Sequence, residues 1–124
     1  MKKLNLLKCT EYGTLKLIIW HPATRETIRQ FPDEVRMQIG YLLHLLQKGQ
    51  DLQMPQSRPM SSISVGAHEI RTKDRSGIFR VFYFLKSKEG IYVFHAFQKK
   101  TQKTPHNQIH LAKKRLQQLL DQEK

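Results

Sequence analysis

Cations interleave with strand-like residues over one stretch of the chain: Arg71, Lys73 and Arg75 in AHEIRTKDRSG, Arg80 in GIFRVFYFLK, and Lys99, Lys100 and Lys103 in HAFQKKTQKTP. Positive charge placed where an apolar strand surfaces suits the binding of phosphate. It also suits phosphodiester chemistry that needs no metal. An RNA 2′-hydroxyl attacks its own adjacent phosphate once a base removes its proton. Cations must then carry the extra charge of the phosphorane, and an acid must protonate the leaving 5′-oxygen. A lysine among other cations has a depressed pKa and can act as that base. Arg71, Arg80, Lys99, Lys100 and Lys103 can together supply such an environment.

Arg80 is the least expected of these residues. Period two puts it with Phe82 and Phe84 on one face of an apolar strand, and an unpaired buried arginine costs several kcal/mol. Two readings stay open: a salt bridge to Glu69 on the preceding strand, or a guanidinium at an open sheet face awaiting an anion. Arg71 and Lys73 share a face with Glu69.

The histidines offer less. His106 and His110 stand i, i+4, the spacing of a two-ligand metal site, but no Cys, third His or suitable carboxylate joins them in the sequence, so no metal site is expected. His68 and His95 fall in strands, where a hydrogen-bonded, partly buried histidine is the commoner case. His106, in the first helical turn beside the lysines, can meet the same anion as they do. There is no Gly-rich phosphate loop, Ser/His/Asp pattern or close carboxylate pair, which weakens kinase, serine hydrolase and glycosidase readings.

The charge balance points the same way. The 124 residues carry 22 Lys and Arg against 10 Asp and Glu, a formal charge of +12. Residues 58 to 115 hold 13 of the basic side chains and only three acids, Glu69, Asp74 and Glu89. Self-repulsion on that scale favours a polyanionic partner, nucleic acid first and an acidic protein second. With 39% hydrophobic residues the chain suits one globular domain. The single cysteine, Cys9, reads as a reduced thiol. No membrane span or signal peptide is expected, and a cytoplasmic location follows.

The elements that must position these residues are legible in outline. LKLIIWH (15 to 21) reads as a strand and ATRETIRQF (23 to 31) as a short helix. PDEVRMQIGYLLHLLQKG reads as a longer helix whose Val35, Ile39, Leu42 and Leu46 make one buried face. Residues 50 to 66 read as a loop with an edge strand at 61 to 65. Strands follow at 67 to 73, 78 to 86 and 91 to 99, joined by the turns DRSG and SKEG, with the middle strand central and covered on both faces. Thr104 and Pro105 begin a last helix with a stripe of Ile109, Ala112, Leu116 and Leu119, leaving Lys113, Lys114 and Arg115 outward. The predicted class is α+β in the order β-α-α-β-β-β-α, a small, mostly antiparallel sheet with helices on one face.

In this order and spacing, AHEIRTKDRSGIFRVFYF followed by IYVFHAFQKKTQKTPHNQIHLAKKRL resembles the RelE/HigB-like toxins of type II toxin–antitoxin systems, in their phage-derived, HigB-type branch. IIWHPATRETIRQFPDEVRMQIGYLLHLLQKGQ extends the likeness to roughly residues 15 to 120. A domain over 14–124 is therefore expected, with 1–13 as an N-terminal extension. The resemblance implies the RelE fold, two N-terminal helices and a C-terminal helix around a curved sheet whose basic concave face holds RNA. It implies an mRNA endoribonuclease acting at the ribosome without cofactor or metal, and a cognate antitoxin, often a helix-turn-helix protein, in a hetero-oligomer. Carried onto this chain, Arg80 in GIFR matches the arginine of the family's Gly-Tyr-Arg strand and contacts the scissile phosphate. Arg71 matches the basic position on the preceding strand, and Lys99 and Lys100 match the basic pair after the last strand. Lys100 takes transition-state charge or leaving-group protonation, and Arg71 or Lys73 the phosphate or base role. His95 corresponds to a histidine that HigB proteins use near the end of the last strand. Lys73, Arg75, Lys103 and His106 are the expected RNA-binding residues. In place of the tyrosine of RelE stands TPHN, with His106 the comparable side chain. A non-catalytic module that binds RNA or an acidic partner is the alternative. A DNA-directed transcriptional role is disfavoured, because no recognition helix is evident.

Overall fold

The computed structural model describes residues 15–86, 90–99 and 105–122. Its elements in chain order are β1 (Leu17–Trp20), α1 (Pro22–Arg29), α2 (Asp33–Gln47), β2 (Ser57–Pro59), β3 (Ala67–Asp74), β4 (Gly77–Leu85), β5 (Gly90–Lys99) and α3 (His106–Gln122). The sheet order is β1-β5-β4-β3-β2, antiparallel except for the parallel β1–β5 pair. This is the expected α+β class, with β4 in the middle of the sheet. The predicted edge strand is displaced: 57–59 pairs with β3, while 61–65 lies in turns.

The helices do not share one face of the sheet, as the sequence suggested. Along β4, Phe79, Val81 and Tyr83 pack with Val35, Ile39, Leu43 and Leu46 of α2. Phe82 and Phe84 pack with Ala112, Leu116 and Leu119 of α3. Two apolar stripes therefore clamp the central strand from opposite sides, which is what a strand apolar in both phases requires. At α2, Asp33 and Glu34 occupy the first turn and Gly49, at φ +89°, follows the C-cap. Leu43, rather than Leu42, is the fully buried member of its stripe.

β5 carries one extra residue. Phe82 pairs with His95, but Tyr83 pairs with Val93, so Phe94 bulges from the ladder. The bulge changes the phase of the strand. Ile91 and Val93 belong to the α2-side core, whereas Phe97 lies in the α3-side core and Ala96 takes over on the α2 side. Lys99, two residues beyond Phe97, is thereby carried to the α3 face.

Candidate functional site

Strand register gathers the cations. Arg58 of β2 lies opposite Glu69 of β3, Arg71 opposite Arg80 of β4, and Lys73 opposite Ile78, which is itself opposite Lys99 of β5. Directly paired residues project to the same side. Arg58, Glu69, Arg71, Lys73, Arg80 and Lys99 therefore occupy one face near one end of the sheet, next to the α3-side core.

Glu69 is the anchor of this group. Its side chain is wholly buried, and its Oε1 accepts from Arg80 Nη1 and, at 3.0 Å, from Arg58 Nε. Glu69 Oε2 and Arg80 Nε are buried without a hydrogen-bond partner among the described residues. Of the two readings of Arg80, the salt bridge to Glu69 is the one observed, and the open guanidinium is not: the side chain is 1% exposed and ion-paired. The reason is physical. Arg80 and Arg71 face each other directly, a repulsive cross-strand pair, and a carboxylate on the same face relieves it at the buried member.

Arg71 and Lys99 are half-buried and Lys73 is exposed, so these three form the accessible rim over the buried pair. Burial is the first cause of the lowered pKa of Lys99. The positive field of Arg80 comes next, and Arg71 and Arg58 add to it against the opposing pull of Glu69. Lys99 thus feels three arginines, Arg80, Arg71 and Arg58, and one carboxylate, Glu69. Lys73 is fixed through its backbone: Gln38 of α2 donates to its carbonyl at 2.9 Å and accepts from its N–H at 3.4 Å.

The other expected site residues fall elsewhere. Arg75 is exposed in the β3–β4 turn and His106 exposed at the start of α3; Lys100 and Lys103 lie outside the described residues, as does the Thr104 cap. His95 is corrected as well. It is 2% exposed beneath α3, where Arg115 Nη1 donates to its Nδ1 at 3.0 Å and its Nε2 meets Gln108 Oε1 at 2.6 Å. Arginine has only hydrogens to offer, so Nδ1 accepts and Nε2 donates. Burial lowers the His95 pKa to about 4, the Gln108 bond opposing and Arg115 and His21 reinforcing. His95 is a neutral pin between β5 and α3, not a residue open to substrate. Arg115, expected outward, is its partner. A second pin joins His21, which caps α1 by accepting from the Ala23 N–H, to Gln118 of α3 at 2.8 Å.

Sequence reasoning missed Arg58 as a member of the site, because the strand that carries it was expected several residues later. Among the described residues no three His, Cys, Asp or Glu side chains converge, so His106 and His110 gain no third ligand there. Nor is any described helix long and apolar enough to cross a membrane.

Residues 26–117 match the family described as Phage derived protein Gp49-like (DUF891). The match spans both clamping layers and all six residues of the basic face. The chain belongs to this Gp49-like family. It is a RelE-like, toxin-like family, and membership implies an antitoxin partner. No curated protein is a significant match.

Proposed function

We propose that this Gp49-like protein is the toxin of a type II toxin–antitoxin system, of the HigB-type branch, and that it cleaves mRNA on the ribosome. The observation that carries the reading is the convergence of Arg58, Arg71, Arg80 and Lys99 around a single buried carboxylate, with the lowered pKa of Lys99 at its rim. Such a site leaves a positive excess for a phosphate while fixing its geometry from beneath.

In the proposed reaction the Lys99 amine takes the 2′-hydroxyl proton and the 2′-oxygen attacks the adjacent phosphorus. Arg71 meets the phosphorane oxygens directly. Arg80 and Arg58 act from below, through the potential they raise at Lys99 and Arg71. The bond from phosphorus to the 5′-oxygen breaks, that oxygen takes a proton from Lys100, and the products are a 2′,3′-cyclic phosphate and a 5′-hydroxyl. Lys73, Arg75, Lys103 and His106 extend the contact along the RNA.

Lys99→Ala and Arg71→Ala are better test variants than Arg80→Ala, which would strand Glu69 and endanger the fold. Induction of the wild type in a bacterium should arrest growth and yield new mRNA 5′-hydroxyl ends within translated regions, and both variants should lose the ends. Growth arrest with intact transcripts would overturn the nuclease reading and favour a basic module that only binds. Cleavage of purified mRNA at the same positions without ribosomes would overturn the ribosomal part.

A further inference from the structure

A pocket of about 350 Å³ opens beside the basic rim, between α2, the segment entering β2, and the end of the β3–β4 ladder. Ile78 and Pro55 supply apolar walls, and Gln56 and Thr72 supply polar ones. Arg71 and Lys73 belong to both the pocket and the rim. The walls are held in place: Gln38 brackets the Lys73 backbone, and the Arg71 N–H donates to the Gln56 carbonyl at 2.8 Å. Thr72, 5% exposed, lines the pocket with its hydroxyl sealed from solvent.

We propose that this pocket receives one nucleobase of the RNA whose phosphates lie on the rim, Gln56 reading the base edge between Ile78 and Pro55. The inference rests on the RNA reading of the basic face. The volume lies at the small end of ligand sites, the scale of one nucleotide and not of an oligonucleotide. A bare phosphate or an acidic side chain would use Arg71 and Lys73 and have no need of apolar walls. A base has two apolar faces and an edge of donors and acceptors, and proteins that select RNA sequence splay single-stranded bases out to read that edge. The cations shared between pocket and rim then set the distance from the bound base to the phosphate under attack.

The test is a backbone amide NMR titration of the full chain with the four 5′-ribonucleoside monophosphates, ribose 5-phosphate serving as the control that lacks a base. The nucleotides should shift Gln56, Thr72 and Ile78, and ribose 5-phosphate should shift only the rim residues Arg71, Lys73 and Lys99. Gln56→Leu, at an exposed side chain, should weaken the preferred nucleotide about three- to tenfold, the loss of one hydrogen bond, and leave ribose 5-phosphate binding unchanged. Equal binding of nucleotides and ribose 5-phosphate, or no selective loss in Gln56→Leu, would overturn the base pocket and leave the rim standing. If neither ligand nor a short single-stranded RNA binds, the RNA reading falls and the pocket falls with it.

Discussion

Replacing Glu69 by Gln tests the account of the basic face at its centre. The substitution keeps shape and one acceptor oxygen but removes the carboxylate that Arg80, 1% exposed, and Arg58 share. Removing one partner of a buried ion pair costs about 3–5 kcal/mol. The retained amide oxygen places Glu69→Gln near the lower end, and the Arg58 contact, from a side chain 42% exposed, adds a few tenths of a kcal/mol at most. A loss of about 3 kcal/mol is large against the roughly 5–15 kcal/mol that holds a domain together. For a chain of this size it lowers the melting temperature by about 10–15 °C. Urea unfolding followed by the fluorescence of Trp20, the single tryptophan, which packs on the α2-side core, measures it directly. The m-value should hold while the midpoint falls. Glu69→Met combined with Arg80→Met should recover most of the loss, because two apolar side chains replace a pair with two atoms unpartnered among the described residues. A drop below about 1 kcal/mol for Glu69→Gln, or a double variant no more stable than the single one, would refute the claim that the face is built over a dry ion pair.

Lys99→Arg keeps the charge but cannot release a proton near neutral pH, so RNA binding should persist while cleavage falls by at least about a hundredfold. In the wild type the cleavage rate should rise with pH and level off below the ordinary lysine range, because the Lys99 pKa is lowered; an active Lys99→Arg protein would refute the base assignment. The depressed His95 pKa makes stability pH-dependent. The unfolded chain takes up the proton near pH 6.5 and the folded one only near 4, so stability is complete above about 6.5 and falls by about 2–3 kcal/mol as pH drops to about 4. His95→Gln should flatten that part of the stability curve, which equilibrium unfolding at several pH values will show. Gly77, at φ +137°, has Gln98 Nε2 3.0 Å from where a Cβ would stand, and Gln98 donates to the Ser76 carbonyl. Gly77→Ala should therefore cost about 1–2 kcal/mol, read by thermal unfolding, with the Gln98 contact loosened.

The parts of the fold that depend on local pattern were legible. Val35, Ile39 and Leu46 marked the buried side of α2, and the unbroken apolar run of β4 marked a strand covered on both faces. The pairing of Arg80 with Glu69 was also visible as one of two alternatives, since an arginine among Phe82 and Phe84 needs a counter-charge. Whether that arginine lay open or sealed was not legible. The answer depends on which strands flank β4 and on α3 closing over Phe82 and Phe97, and neither is encoded near residue 80. Arg58 and Arg115 were missed for the same reason. Arg58 reaches Glu69 across 11 positions of chain and Arg115 reaches His95 across 20, so no periodicity links them. The count of cations was readable, and their convergence became so only with the register.

The bulge at Phe94 gives the site an unusual form of fragility. Lys99 owes its side of the sheet to the number of residues that precede it in β5 and not to its chemical neighbours. Substitution at 94 would change packing and leave the lysine facing the RNA side. Deleting the bulged residue would restore an even ladder and keep Lys99 opposite Ile78, but losing one residue between His95 and Lys99 would turn the lysine toward α2. Loss of the lysine from the site can therefore arise by a change of length that no comparison of residue types would flag, and relatives of this chain are best aligned on the bulge before their lysines are compared.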